Sequence, residues 1–193
     1  MNVVFLLDES GSMGSVRDEV MIGVNDYIKT LKDNPFVKFT LISFNGDRIR
    51  KVYETAPITD VGVFTDYHPD SNTPLLDAMG STIKMLGKKK KVVFVVQTDG
   101  YENSSSIFTT KMIFDLVTKR KKRGWTFAFM GSDIDSWSIA KGLGFDRGNT
   151  LRYKSGDTVN IYAQLGEASS RAVSGDMSGT FWGEATDQNS YKE

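Results

Sequence analysis

Two stretches of uninterrupted apolar residues, Val3-Val4-Phe5-Leu6-Leu7 and Val92-Val93-Phe94-Val95-Val96, constrain this chain more than any other feature. A strand that is apolar on both pleat faces has no side to offer water, so it belongs inside a sheet covered on both sides, the situation of parallel strands. Between and after these runs the period changes from two to three or four. Val16, Val20, Val24, Tyr27, Ile28 and Leu31 predict one amphipathic helix, ended by Asp33-Asn34-Pro35. Leu75, Leu76, Met79, Ile83 and Leu86 predict another, with Pro74 in its first turn. Phe108, Met112, Ile113, Leu116 and Val117 predict the buried side of a third. Further strands are expected at Val37 to Phe44, Arg48 to Tyr53, Trp125 to Met130 and Thr150 to Tyr153, the first two joined by the hairpin signal Asn45-Gly46-Asp47. A short helix around Ile134 to Leu143 and a last one carrying Tyr162, Leu165, Ser169 and Ala172 complete the series. The alternation predicts an α/β fold: a Rossmann-like, doubly wound, mainly parallel six-stranded sheet with one antiparallel edge strand and helices on both faces. Residues 1–173 are read as one domain and 174–193 as a loose tail, because periodicity is lost after Ser174 amid Gly, Ser, Asp and Thr. Phe181, Trp182 and Tyr191 in that tail offer an alternative, an aromatic segment that docks on this domain or on a partner.

Asp8 and Asp99 each follow an all-apolar strand, so both are expected at the carboxyl edge of the sheet, where open α/β sheets bind ligands. Asp8 opens Asp8-Glu9-Ser10-Gly11-Ser12, Asp99 precedes Gly100, and Thr73 stands at the mouth of a helix. All these groups are hard oxygen donors of the kind Mg²⁺ prefers. Each also has an ordinary structural role: Ser10, Ser12 or Asp8 could cap the following helix, Thr73-Pro74 is a good cap with proline at the first helical position, and Asp-Gly is a common turn.

Taken together and in order, Asp8-x-Ser10-x-Ser12, then Thr73 in Ser71-Asn72-Thr73-Pro74-Leu75, then Asp99 in Thr98-Asp99-Gly100, the set resembles the metal-ion-dependent adhesion site of the von Willebrand factor A domain family. The resemblance covers residues 2–173. It implies that Ser10, Ser12 and Thr73 touch the metal, that Asp8 and Asp99 act largely through water, and that the first and fourth strands are neighbours. The implied cofactor is Mg²⁺, with Mn²⁺ or Ca²⁺ as substitutes. The implied function is a metal-dependent binding module, an adaptor in which the Glu or Asp carboxylate of a partner protein completes the coordination. A cytoplasmic protein of bacterial or phage origin fits that pattern.

Composition removes several other chemistries. With no Cys and a single His, His68, the chain offers no thiolate, iron–sulfur or multi-histidine site. No G-x-x-x-x-G-K-[ST] loop occurs, so nucleotide energy must come from elsewhere. Apolar runs of five to six residues are too short for a membrane span and no charged leader precedes them, from which an intracellular protein is expected. A metal-dependent hydrolase is the competing class, with Glu9, Glu102 and His68 as its local general-base candidates; Glu9 is expected to be solvated and His68 to lie on the surface. No catalytic residue is assigned. A self-assembling structural subunit is the third class, since Lys88-Lys89-Lys90-Lys91 and Lys119-Arg120-Lys121-Lys122-Arg123 fall at the amino edge while Asp8, Glu9, Asp99, Glu102, Asp133 and Asp135 fall at the opposite one. The 24 basic and 24 acidic side chains thus cancel in sum but not in place. The basic runs suit helix C-termini electrostatically and could dock an anion; nucleic acid is disfavoured because no recognition fold or interleaved aromatic accompanies them.

Overall fold

The computed structural model describes residues 1–99, 101–132, 136–153, 158–176 and 180–182. Its centre is a six-stranded sheet built from β1 (Asn2–Asp8), β2 (Lys38–Phe44), β3 (Ile49–Pro57), β4 (Val92–Thr98), β5 (Thr126–Gly131) and β6 (Thr150–Arg152). The strand order is β3-β2-β1-β4-β5-β6. All neighbours are parallel except β2 and β3, which form the antiparallel hairpin. Asn45 shapes its turn by accepting from the backbone N–H groups of Asp47 and Arg48 at 3.1 Å each. The outer strand runs to Pro57, beyond the Tyr53 expected from sequence. Thr55 takes a left-handed φ of 54° and donates its N–H to Thr40 Oγ1 at 3.0 Å, so a register irregularity carries the ladder on.

The two faces of β1 explain its unbroken hydrophobicity. Val3, Phe5 and Leu7 enter one core with α1 (Arg17–Leu31) and α5 (Thr158–Ser174). Val4 and Leu6 enter the other with α2 (Leu75–Met85), α3 (Thr110–Lys121) and α4 (Ser136–Gly142). α4 is described from Ser136, and Ile134, where the sequence predicts its start, lies outside the described residues. α3 is also shorter at its start: Thr109 caps it by accepting from Met112 N, so Phe108 lies before the helix, and Met112 is exposed where the periodicity put it inside. Ile113 and Val117 alone carry the buried stripe.

The aperiodic stretch 58–74 is ordered by packing rather than by backbone repeats. Ile58, Val61, Phe64 and Tyr67 are buried in the first core. Asn25 of α1 brackets Phe64 by donating to its carbonyl at 2.9 Å and accepting from its N–H at 2.8 Å. Of the segment read as a loose tail, Phe181 and Trp182 are buried in the same core, with their rings edge to face at 5.0 Å. Arg171 of α5 donates to Phe181 O at 2.9 Å, so these two residues are part of the domain's packing; Tyr191 lies outside the described residues. Among the described residues no helix is long and apolar enough to cross a membrane.

α1 and α5 approach so closely that a Cβ at Gly23 would lie 2.0 Å from the Tyr162 ring, which is fully buried and donates its hydroxyl to Gln97 of β4. Gly23→Ala is therefore expected to lower stability by about 1–3 kcal/mol through overpacking. Gly14→Ala, with nothing within 4 Å of the added carbon, is its matched control. Equal urea midpoints for the two variants would contradict this account.

Candidate functional site

Parallel pairing of β1 with β4 matches Leu7 to Gln97, which sets Asp8 level with Thr98 at the carboxyl edge. Asp8 is fully buried there, flanked by strands on both sides. Its Oδ2 accepts from Thr98 Oγ1 at 2.5 Å and its Oδ1 from the Ser10 N–H at 2.8 Å. The Tyr67 hydroxyl donates to the Asp8 carbonyl at 2.6 Å. Each carboxylate oxygen retains a lone pair after these bonds. Burial pushes the Asp8 carboxyl up to about 6, against the hydrogen bonds from Thr98 and Ser10 that favour its charged form; the Asp99 charge adds a further push upward.

From Asp8 a line of oxygens runs outward. The Ser10 and Ser12 hydroxyls are 3.2 Å apart, and Ser12 Oγ donates to Asp99 Oδ1 at 2.7 Å. Burial also raises the Asp99 carboxyl, opposed by the Ser12 hydrogen bond. Asp8, Ser10, Ser12 and Asp99 are thus joined directly, with Thr98 as a further member. Thr98 is not among the residues the resemblance supplies; its signal in the sequence is a hydroxyl at the last position of β4, level with the carboxylate on the neighbouring strand.

Thr73 reaches the same edge by a different route. Gly11 N–H donates to Ser71 O at 3.0 Å and Asp70 N–H to Glu9 O at 2.9 Å, tying its loop to the Asp8-to-Ser12 loop. Thr73 N–H donates to Asn103 Oδ1 at 2.8 Å, and Asn103 N–H returns to Thr73 O at 3.2 Å, tying it to the loop after Asp99. Among the described residues the Thr73 hydroxyl makes no hydrogen bond to the other four.

Helix capping does not consume these hydroxyls. Ser10 precedes a 3₁₀ turn over Gly11–Val16 without a side-chain cap bond, and α2 starts after Pro74 without one. The work falls to Glu102, which accepts from the N–H groups of Leu76, Ser104 and Ser105, while Ser105 Oγ accepts from Asp77 N–H at 2.9 Å. Asp77, buried in the first turn of α2, accepts in turn from the N–H groups of Ser106, Ile107 and Phe108.

Glu9 corrects the expectation of a solvated side chain: it is fully buried. Arg50 of β3 lies 3.3 Å from its carboxylate and Arg48 3.8 Å, and it accepts from His68 N–H at 2.7 Å. Arg50 also reaches Asp66 at 2.5 Å, and the His68 ring, exposed as expected, lies 3.1 Å from Asp66. The cluster clamps the hairpin and the 61–74 segment to the first loop. Glu9 and Glu102 are therefore engaged in holding the loops.

Two carboxylates among three hydroxyls form a hard, mostly neutral donor set. In an octahedral Mg²⁺ shell with bonds of ~2.0–2.1 Å, adjacent donors lie ~2.9 Å apart. The Ser10 and Ser12 hydroxyl oxygens, 3.2 Å apart, are within a few tenths of an ångström of that value, so this pair fits such an ion, with Asp99 hydrogen-bonded to Ser12 just outside it. No cluster of three or more His, Asp or Glu side chains capable of holding a metal occurs among the described residues, so any ion here must rely on hydroxyls.

Compared with protein-family models and with curated protein sequences, the chain matches none. Solved structures do match. The vWF domain of the type V pili tip protein Mfa5 from Porphyromonas gingivalis aligns with TM-score 0.67 and 10% identity over 88% of this chain and 94% of that one. The ArnB paralog VWA2 from Sulfolobus acidocaldarius aligns with TM-score 0.62 and 16% identity over 87% of this chain and 44% of that one. Proximal thread matrix protein 1 from the mussel byssus, in a structure with a zinc-occupied MIDAS motif, aligns with TM-score 0.56 and 14% identity over 84% and 46%. This chain spans less than half the length of the last two. At these identities the likeness establishes the fold, which is that of a von Willebrand factor A domain.

The buried Glu9–Arg50 pair makes a direct prediction. Arg50→Met leaves Glu9 buried without its main counter-charge and is expected to destabilise by about 3–5 kcal/mol, whereas adding Glu9→Gln to it recovers most of the loss. Urea unfolding of the single and double variants checks this; a double variant no more stable than Arg50→Met would refute it.

Proposed function

We propose, from the von Willebrand factor A fold and the oxygen cluster at its carboxyl edge, that this chain is a metal-dependent protein-binding module. The observation that carries the reading is that Ser10, Ser12 and Thr73 cap no helix, while Ser10 and Ser12 are already joined to Asp8 and Asp99 at the junction of β1 and β4. In this reading Ser10, Ser12 and Thr73 hold Mg²⁺ directly, and Asp8 and Asp99 hold it through water, with Mn²⁺ or Ca²⁺ as substitutes. A divalent ion held largely by neutral hydroxyls supplies an electrophilic position suited to a carboxylate oxygen from outside.

The chain's own residues provide the rest of the mechanism. Thr98 and the Ser10 N–H orient the Asp8 carboxylate, Ser12 orients Asp99, and the Glu9–Arg50 clamp with the Asn103–Thr73 exchange keeps three loops in register. Ser12 is exposed and Asp99 half-buried, so the outer end of the oxygen line faces a partner while Asp8 lies beneath. The partner is a protein presenting a Glu or Asp side chain. The zinc-occupied MIDAS of the mussel protein and the pilus setting of Mfa5 support the binding class by analogy of fold. A non-enzymatic role is part of this proposal, because two general-base candidates, Glu9 and Glu102, are committed to structural hydrogen bonds. So is the cytoplasmic setting in a bacterial or phage host.

Two predictions follow from the geometry. Because burial raises Asp8 to about 6 in the folded chain from 3.8, its protonated form favours folding; that contribution is full below pH 3.8 and is lost as pH rises through 6. The metal-free protein is therefore expected to gain thermal stability between pH 7 and 5 from this group, and the Mg²⁺-induced rise in Tm to disappear over the same interval. Asp8→Asn is expected to raise the metal-free Tm at pH 7 and to remove both the pH effect and the Mg²⁺ effect. A Mg²⁺-induced shift that survives in Asp8→Asn and Asp99→Ala would overturn the site.

For the partner, host lysate passed over immobilised protein in Mg²⁺ and in EDTA is expected to yield a protein retained only with metal. Changing a single Glu or Asp of that protein to Gln or Asn is expected to lower its affinity at least tenfold. Equal retention in EDTA would move recognition away from this edge.

A further inference from the structure

The segment that follows Asp99 carries two large apolar side chains in water. Tyr101 is 51% and Ile107 66% exposed. Single exposed apolar residues on a surface need no cause, but these two differ in what holds them. Between them, Glu102 accepts from the N–H groups of Leu76, Ser104 and Ser105, and the Ser105 hydroxyl donates to it at 2.6 Å. Asn103 exchanges two hydrogen bonds with the backbone of Thr73. Asp77 of α2 accepts from Ile107 N–H at 3.0 Å and from Phe108 N–H at 2.8 Å. The Phe108 ring is buried in the second core, so close to α2 that a Cβ at Gly80 would meet it at 2.4 Å. Phe108 thus anchors the segment inward and leaves its neighbour Ile107 to solvent.

This fixed platform is also fixed to the residues assigned to the metal. Thr73 is bonded to it through Asn103, and Tyr101 is two residues from Asp99, within ~7 Å of chain. The border formed by the hairpin turn and residues 66–71 is charged instead. Asp47 and Asp70 are exposed there and meet at Ser71, which donates its hydroxyl to Asp47 Oδ1 at 3.4 Å and its N–H to Asp70 Oδ1 at 2.7 Å. Arg48 and Arg50 on that border are turned to Glu9 and Asp66. A partner that brings one carboxylate to the metal therefore meets repulsion from Asp47 and Asp70 if a second acid follows, and an apolar surface on the side of Tyr101 and Ile107.

We propose that Tyr101 and Ile107 select the partner, a protein segment with one Glu or Asp and an apolar side chain about two residues from it. The inference rests on the metal-dependent reading above and adds what must flank the carboxylate. The spacing follows from reach, since two residues of extended chain span ~7 Å, the reach of the chain from Asp99 to Tyr101. Because the platform is already ordered, packing on it costs little loop entropy, and tyrosine is a side chain on which interface energy concentrates. A nucleic acid or an acidic run would gain nothing from the apolar pair and would face Asp47 and Asp70.

A phage-displayed library of random linear peptides, captured on the immobilised full chain in Mg²⁺ and eluted with EDTA, tests this. The eluted peptides are expected to share one Glu or Asp with an apolar residue about two positions away. For the most enriched peptide, changing that apolar residue to Ser is expected to weaken binding about tenfold, as losing the burial of one aliphatic side chain implies. The Tyr101→Ser, Ile107→Ser double variant is expected to show the same loss, with no further loss when both changes are combined. It is also expected to keep the Mg²⁺-induced rise in Tm, which reports an intact fold and metal site. Tyr101→Phe with Ile107→Leu, and Ile22→Ser on α1 as an exposed apolar control, are expected to bind as the parent does. Acidic peptides without an apolar neighbour, or equal affinity for the double variant, would overturn this inference and leave the metal reading standing. Absence of any peptide eluted by EDTA would overturn both.

Discussion

The contact on which the site depends is the hydrogen bond from Thr98 to the buried Asp8 carboxylate. A carboxylate at the end of a central strand, flanked on both sides by backbone, has few routes to satisfaction. The neighbouring parallel strand supplies one, and the turn of the first loop supplies the other through the Ser10 N–H. That second bond folds the loop back over its own strand, which brings the Ser10 and Ser12 hydroxyls toward Asp99. Sheet register, loop shape and site geometry are therefore one constraint: a slip of β4 against β1 by one residue would remove the Thr98 partner and turn every side chain of the strand to the wrong core.

The surrounding loops are held by charges the site does not use. Glu9 sits between Asp8 and Ser10 and points the other way, into a clamp with Arg50 and the His68 N–H. Alternation along one extended stretch thus divides the labour, Asp8 toward β4 and Glu9 toward β2 and β3. Glu102 and Asp77 do the corresponding work between the start of α2 and the 104–108 segment, satisfying six backbone N–H groups between them, that of Leu76 in α2 and those of residues 104–108. With acids committed there, serines and threonines elsewhere on the edge are released from capping.

Periodicity exposed the parts of this architecture that repeat. The apolar runs of β1 and β4, the stripes of α1 and α2 and the Asn-Gly turn all announce elements whose side chains recur at fixed intervals, and the strand ends place Asp8 and Asp99. The stretch 58–74 gave no such signal, because its order comes from single anchors: Phe64 bracketed by Asn25, Tyr67 bonded to Asp8 O, Arg17 bonded to Tyr67 O. Glu9 was misread for a related reason. Its burial requires Arg50, forty-one residues away on a strand whose alternation says nothing about charge partners. Phe181 and Trp182 likewise follow a break in periodicity, yet two large rings suffice to pack a short segment against a core.

A parallel sheet also explains how a chain of 24 basic and 24 acidic residues becomes polar. Parallel strands begin at one edge and end at the other, and the helices between them run back, so helix C-termini gather at the amino edge and helix N-termini at the carboxyl edge. Cations favour the first and anions the second. The topology therefore sorts charge before any ligand is considered, and a modest separation needs no functional cause. What exceeds this background differs at the two edges. At the carboxyl edge the excess lies in how a few oxygens are arranged around Asp8. At the amino edge it lies in number, nine cations pinned together by one buried tryptophan. Like charges held that closely cost free energy in the isolated domain, which helix termini alone do not offset.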